Sequence, residues 1–244
     1  MAHRGPAITD RRMIDALQEM WTFLTTADNW GGRTGIWARG RAHLWISVVA
    51  TAIAAGTAIP LAVWLAHSRR LPVASVAVAN VGRAIPSFAV IALVLPVSIS
   101  LGRGLGFWPT CVALVVLAIP PIFTSAYTGV AGAPAEIVEA ARGVGMTGSQ
   151  VVRRVELPAA LPLVMTGVRI AAVQVVATAT LGSLVGYQCL GTYVLEGLAR
   201  PFTARDRLLG GALLIIVLAM VIDAALGRLT RRLTPWTCPD SRVR

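Results

Sequence analysis

An apolar run from residue 43 to residue 66 constrains the fold most, because it contains no Asp, Glu, Lys or Arg. About 20 apolar residues in a helix cross the roughly 30 Å of hydrocarbon in a bilayer. The composition agrees with such spans, since 14% of the residues are charged, against about 25% in soluble domains. We therefore predict an all-α membrane protein with about five transmembrane helices. The five apolar runs cover residues 43–66, 71–101, 107–130, 161–185 and 208–226.

Prolines lie inside the second and third runs, at Pro86, Pro96, Pro120 and Pro121. A proline removes a backbone hydrogen bond and bends a helix, and membranes tolerate it where neighbouring helices or cavity water satisfy the freed carbonyls. These positions favour broken helices of the kind that transporters contain. Simple kinks that aid packing are the alternative interpretation.

The residue content excludes several kinds of chemistry. All 22 basic residues are arginine, and a chain without lysine cannot build the P-loop that holds nucleotide phosphates. The three cysteines and three histidines follow no metal-binding spacing, so no bound metal is predicted. We also predict no other cofactor and no catalytic residue. The arginines are dispersed along the chain instead of forming one patch, which argues against binding of nucleic acid.

Residues 1–42 precede the first run and have a different pattern. They lack the apolar core of roughly 7–15 residues that a signal peptide requires. Leu17, Met20 and Leu24 recur at helical spacing with polar residues between them, which predicts an amphipathic helix on the membrane surface. The transmembrane domain is then expected over residues 43–227, followed by a basic tail over residues 228–244.

The stretch 132–158 between the third and fourth runs is the most polar part of the middle of the chain. Pro134 can begin a short helix, and the glycines at 143 and 145 can end it. Thr147 followed by Gln150 matches a capping box at the start of a second short helix. Two short helices in place of a simple turn predict a surface on which another protein docks.

The same stretch contains a spaced motif. Glu-Ala-Ala is followed after three residues by Gly, after nine more by Val, and after one more by Leu-Pro. This spacing resembles the EAA motif of ABC importer permeases. The resemblance implies that a loop at 132–158 is cytoplasmic and inserts into a groove of a separate ATPase subunit. The residues to which it assigns this coupling role are Glu139, Ala140, Ala141, Gly145, Val155, Leu157 and Pro158.

The residue types suit such a loop. Ala140 and Ala141 are small enough to allow close approach of a partner, and Gly145 permits a turn that a Cβ would resist. The carboxylate of Glu139 can fix the loop through charge-assisted hydrogen bonds. The motif therefore agrees with the docking surface that the helix pattern predicts.

Further stretches resemble permeases of osmoprotectant importers, which take up glycine betaine, carnitine, choline or proline. The similarity runs from about residue 44 to residue 223. That family often has Gly-Ala-Gly-Gly-Leu-Gly after the fourth span, whereas this chain has Gly186-Tyr-Gln-Cys-Leu-Gly191, so the particular substrate stays open. The other matching stretches are Arg83-Ala-Ile-Pro86-Ser-Phe, Tyr127-Thr-Gly, Gly167-Val-Arg169 and residues 178–186.

The resemblance implies the type I ABC importer permease fold in a cell membrane and a transport subunit that is not an enzyme. It implies three kinds of protein partner: ATP-binding cassette ATPase subunits, a second permease subunit that we expect to be a related chain, and an extracytoplasmic solute-binding protein. Counting five spans from a cytoplasmic loop puts the N-terminus outside and the C-terminus inside. With this orientation, ten arginines fall on each side of the membrane, so the total gives no preference. The arginines around the first span slightly favour the opposite orientation. We base the predicted orientation on the loop, because its motif is more specific.

Five polar residues in the spans are candidates to line a translocation pathway. Polar groups in hydrocarbon are costly unless paired and can mark a pathway, although Ser and Thr also hydrogen-bond neighbouring helices as part of ordinary packing. A tyrosine among them could attract a quaternary ammonium by a cation–π contact. The five are Ser87, Thr124, Tyr127, Gln174 and Thr178.

Two other functions are compatible with parts of this pattern. A permease of an amino-acid importer, such as one for methionine, is the nearer alternative, because it would share the EAA motif. An ion-driven secondary transporter would need ionisable groups near the middle of the bilayer. Only Gln174 and the hydroxyls lie that deep in the predicted spans, which argues against it.

Overall fold

The computed structural model describes residues 7–68, 86–201 and 203–235, and these residues form helices joined by turns, with no strand among them. The prediction of an all-α protein is confirmed. Short 3₁₀ turns connect or extend several helices. The helices are α1 (Ala7–Thr25), α2 (Ile36–His67), α3 (Ser87–Ser100), α4 (Phe107–Ala131), α5 (Ala135–Gly143), α6 (Gly148–Val151), α7 (Leu157–Thr178), α8 (Gly191–Ala199) and α9 (Arg205–Leu233).

Four helical stretches in the described part of the chain are long and apolar enough to cross a membrane: Ile36–His67, Phe107–Ala131, Gly148–Val185 and Arg205–Leu233. They correspond to four of the predicted spans. The remaining predicted span covers residues 71–101, and the shorter apolar helix α3 lies at its end. Residues 71–85 of this span, including Arg83, lie outside the described residues. Residues 236–244 of the basic tail also lie outside them.

The first spanning helix begins at Ile36, earlier than the predicted span at residue 43. The prediction stopped at the arginines that precede the apolar run. Arg39 continues the helix because its guanidinium lies 3.0 Å from the Glu196 carboxylate, and this ion pair lowers the cost of burying the charge.

The core forms where α4 packs against both α2 and α7. The face of α2 in this core carries an alanine at every fourth position, and small residues at this spacing let two helix backbones approach closely. From α4, Leu114, Ala118 and Ile122 are buried in the same core. The alanines are Ala50, Ala54, Ala58, Ala62 and Ala66.

The prolines do not break the helices that contain them. Pro96 lies inside α3, and Pro120 and Pro121 lie inside α4, so the interpretation as broken helices is wrong at these three positions. Burial of α4 on two sides holds the helix together despite the missing backbone hydrogen bonds. Pro86 lies at the N-cap of α3.

Helix α1 is amphipathic, as predicted, and one end of it is anchored to the bundle. The ring of Phe23 is buried and packs edge-on against Tyr193 of α8 with centroids 5.3 Å apart. It also fills the space above Gly210, where an added Cβ would lie 2.5 Å from the ring. The opposite face leaves Leu17 and Trp21 exposed, as expected of a helix that lies on a membrane surface.

Candidate functional site

The loop 132–158 folds as two short helices at one end of the bundle. Helix α5 has Pro134 as its N-cap and ends at Gly143. Helix α6 follows and runs through a π-helical turn, Val152–Glu156, into the spanning helix α7. The predicted arrangement of helix, glycine turn and helix is confirmed. We call residues 148–156 the coupling segment.

Gly145 ends α5 with a Schellman motif. Its φ is +85°, in the left-handed region, which a residue without a Cβ enters at little cost. The Met146 N–H donates to the Ala141 carbonyl at 3.1 Å, and the Gly145 N–H donates to the Arg142 carbonyl at 3.0 Å. These two bonds define the motif and fix the direction in which the chain leaves α5.

A capping box begins α6. The Gln150 side chain reaches back and accepts a hydrogen bond from the Thr147 backbone N–H at 2.8 Å, and the reciprocal contact of Thr147 completes the box. Such a box satisfies backbone donors that the first turn of a helix leaves open. The capping box predicted at these two residues is therefore confirmed.

One side of the loop is apolar and packed. Val138 and Ala141 of α5 are buried against Val151, with Val155 packed beside them. Leu157, two residues on, packs instead against the core of the bundle. The second half of the motif therefore joins two apolar clusters, one in the loop and one among the spanning helices. Pro158 lies in the first turn of α7, directly after the π-helical turn.

The other side of α5 is exposed and mixes apolar with acidic groups. Val144 is 77% exposed and Ile137 53% exposed, and Glu139 and Ala140 are exposed beside them. Within the described part of the chain, the Glu139 carboxylate has no ion pair or hydrogen bond. We call Ile137, Glu139, Ala140 and Val144 the docking face.

A hydrogen bond that the sequence did not predict joins this loop to α2. The Nδ1 of His67, in the last turn of α2, lies 2.8 Å from Oε2 of Glu156, the last residue of the π-helical turn. A cavity of about 360 Å³ opens beside the pair. It is lined by residues of α5, the ends of α2 and α4, and Glu156, among them Ala66, Tyr127, Val130, Val138 and Arg142.

The five pathway candidates do not gather at one place. Tyr127 is buried, stacks on Phe123 and lines the cavity beside the loop. Thr124 uses its hydroxyl within α4, where it donates to the Pro120 carbonyl at 2.8 Å. Gln174 is exposed on α7, Thr178 is half-buried at the end of the same helix, and Ser87 is half-buried at the start of α3.

A second polar cluster lies at the opposite end of α2. Glu196 of α8 accepts hydrogen bonds from Arg39 at 3.0 Å and from Arg207 at 2.7 Å. The Arg39 guanidinium also lies 4.2 Å from the centre of the Tyr193 ring. Burial alone would raise the pKa of Glu196, but the hydrogen bonds from Arg207 and Arg39 outweigh it and hold the pKa below its ordinary value.

The low pKa of Glu196 predicts an acid-sensitive contribution to stability. A carboxylate with a depressed pKa stabilises the folded state above its ordinary pKa, and the contribution is lost as the pH falls through the depressed value. We expect the thermal midpoint of the wild type to fall further between pH 7 and about pH 3 than that of Glu196→Gln. The control is Glu19→Gln, which removes an exposed carboxylate on α1. Parallel pH profiles of wild type and Glu196→Gln would contradict the assignment.

The stretch 186–191 that departs from the usual osmoprotectant pattern lies at this same end. The Tyr187 hydroxyl donates to the Ala42 carbonyl at 2.7 Å, and burial raises the pKa of Tyr187 to about 12. Cys189 is buried, and burial raises the pKa of its thiol to about 11. Both groups therefore stay protonated at neutral pH and act as packed links between this stretch and its neighbours.

The chain belongs to the family of binding-protein-dependent transport system inner membrane components, whose sequence pattern matches residues 58–235. It is thus a multi-pass membrane protein and a transport permease. This membership confirms the predicted family, that of ABC importer permeases, and argues against an ion-driven secondary transporter.

Two relatives cover most of the chain. The carnitine transport permease protein OpuCB of Listeria monocytogenes is 36% identical, with 82% of this chain and 88% of the relative covered. The glycine betaine/carnitine/choline transport system permease protein OpuCB of Bacillus subtilis is 33% identical, with 90% and 95% covered. Both agree with the sequence resemblance to osmoprotectant permeases.

Solved ABC transporters share the fold. An inward-facing structure of the methionine ABC transporter MetNI matches with a TM-score of 0.72 and 25% identity, over 82% of this chain and 96% of that one. The crystal structure of an amino acid ABC transporter with histidines matches with a TM-score of 0.63 and 14% identity, over 91% and 97%. The predicted type I permease fold is confirmed.

Proposed function

We propose that this chain is the permease of an ABC importer for a small osmoprotectant such as glycine betaine, choline, carnitine or proline. The observation that carries the proposal is the EAA loop, folded into two capped helices with an exposed docking face. The substrate class is supported by relatives at 33–36% identity that are named for carnitine, choline and glycine betaine.

In this proposal the docking face seats α5 in a groove of the ATPase subunit. Val144 and Ile137 supply apolar area that loses contact with water on docking. Glu139, which has no partner among the described residues, offers its carboxylate to a donor on the ATPase. Movement of α5 then reaches the bundle through Val155 and Leu157, which join the loop cluster to the core. ATP hydrolysis stays with the partner subunit.

The same proposal sets the orientation in the cell membrane. ATP is cytoplasmic, so the docking face lies inside the cell, together with the tail. The opposite end, with α1 and the cluster of Arg39 and Glu196, then lies outside, where a solute-binding protein would deliver the osmolyte. The arrangement agrees with the orientation predicted from the loop and differs from the weak arginine bias around the first span.

We also propose that the pathway forms between this chain and a second, related permease subunit. Helix α7 leaves Leu163, Ile170 and Gln174 exposed along one side, a side that the described residues of this chain do not cover. Gln174 and Thr178 would face the solute there, and Tyr127 would meet it near the loop, where its ring could attract a quaternary ammonium. Ser87 and Thr124 remain candidates as well.

Uptake of labelled glycine betaine in high-salt medium tests the function. The host lacks its own osmolyte importers and carries the genes that neighbour this one, with and without this chain. We expect uptake that depends on this chain and is competed by choline, carnitine or proline. An assembled complex that takes up none of these solutes would contradict the proposed substrate class.

A permease for methionine is the second candidate, because MetNI is a structural match at 25% identity. The osmoprotectant relatives are closer in sequence over a similar share of the chain. Excess methionine in the same uptake assay separates the two. Competition by methionine, without competition by choline, would favour the amino-acid function.

A further inference from the structure

His67 contacts both ends of the coupling segment. Its Nδ1 lies 2.8 Å from Oε2 of Glu156 at the end of the segment. Its Nε2 lies over Gly148 at the beginning, where an added Cβ would be 3.2 Å from that nitrogen. One imidazole at the end of α2 therefore spans the whole segment, and the glycine leaves the room that it occupies.

Glu156 depends on this contact. It is 6% exposed, and a buried carboxylate is costly unless a hydrogen bond compensates it. Within the described residues, His67 is its one side-chain partner. Glu156 also closes a π-helical turn, a rare form of helix that is found frequently at functional positions.

The coupling segment is the main route from α5 into the bundle. Helix α5 makes its most extensive contacts with residues 148–151 and 152–156, whereas a cavity separates part of it from the ends of α2 and α4. A displacement of α5 is thus passed first to the segment. The segment continues directly into α7, but α2 is joined to it by packing and by His67.

We propose that His67 is a positioning residue that ties α2 to the coupling segment, so that α2 and α7 move together when the ATPase displaces the loop. The inference rests on the proposed coupling role of the loop. His67 lies outside the EAA motif, and Gly148 lies between two of its positions. The inference gives both residues a part in transmitting the movement, separate from docking of the ATPase.

The complete importer reconstituted in proteoliposomes tests this role through the number of ATP molecules hydrolysed per solute transported. We expect His67→Leu and Glu156→Leu each to raise this ratio on the order of tenfold, and the double variant to be no worse than either single one. Gly148→Val should also raise this ratio, because the valine side chain displaces the imidazole. The control is Arg169→Leu with Asp223→Leu, which removes an exposed ion pair between α7 and α9.

A second readout needs no transported solute. A fluorophore on Ser68→Cys, at the end of α2, is followed in the permease–ATPase complex after the native cysteines are replaced by serine. Trapping of nucleotide in the ATPase should shift its emission in the wild type and not in His67→Leu or Gly148→Val. A shift that persists in these variants would overturn the inference, whatever solute the importer carries.

The two readouts separate the possible failures. A wild-type complex that shows the nucleotide-dependent shift but transports no osmolyte would contradict the substrate class and leave the role of His67 intact. Variants that keep the wild-type ratio, or that lose activity only in proportion to their thermal midpoint, would show that the pair is merely structural and would overturn the inference.

Discussion

Valine in place of Gly145 is expected to reduce ATP-driven uptake strongly while the protein still inserts into the membrane. The φ of +85° is a conformation that a β-branched residue rarely adopts. Strain of about 1–3 kcal/mol would open the Schellman turn and turn the docking face away from the ATPase. That energy corresponds to a loss of roughly 5- to 150-fold in the competent population. This loss is measured by solute uptake and by pull-down of the ATPase, with variant and wild type present at matched levels in the membrane.

Two matched variants distinguish an effect of the turn at Gly145 from a general sensitivity of α5 to substitution. Gly145→Asn should keep most of the uptake, because asparagine tolerates the left-handed region. Gly143→Ala should be neutral, because Gly143 is the last residue of the helix and has no positive φ, and a Cβ there would meet nothing within 4 Å outside the helix itself. Full uptake by Gly145→Val would show that the turn does not position the docking face.

Leucine at Gly167 is expected to prevent α7 from packing on α4. An added Cβ at Gly167 would lie 2.5 Å from the Ser125 Cβ and 2.9 Å from the Pro121 carbonyl oxygen. The backbone carbonyl cannot turn aside as a flexible side chain could, so we expect a destabilisation at or above the roughly 1–3 kcal/mol of overpacked cores. The fraction of monodisperse protein in mild detergent and its thermal midpoint measure the effect.

The control for this prediction is the same substitution at Gly56, in the spanning helix α2. A Cβ at Gly56 would meet nothing within 4 Å, so Gly56→Leu should behave as the wild type. Equal thermal midpoints for Gly56→Leu and Gly167→Leu would contradict the close approach of α4 and α7.

Hydropathy predicted the spanning helices because membrane hydrocarbon imposes a length and an apolar composition on every span. It placed the start of α2 too late, since Arg39 is satisfied by Glu196, a residue distant in sequence. The expectation that prolines break a helix was wrong at Pro120 and Pro121 for a related reason. Packing of α4 on two sides, which a local pattern does not contain, decides that the helix continues.

The coupling loop was predictable from sequence because caps and glycine turns are local features. The turn at Gly145 and the capping box of Thr147 and Gln150 each depend on residues only a few positions apart. The pair of His67 and Glu156 was not predictable, because it joins residues that are 89 positions apart. A solitary histidine at the end of an apolar run carries no signal of such a partner.

Cross-linking from Val144 tests the central claim that the loop is the contact with the ATPase. Val144→Cys, at a position that is 77% exposed, is introduced after the native cysteines are replaced and is treated with a short bifunctional reagent in membranes. A cross-link to the ATPase is predicted from Val144→Cys and not from Leu105→Cys, an exposed position near Gly186 at the opposite end of the bundle. No cross-link from Val144 in an assembled complex, or one from Leu105 instead, would contradict the account.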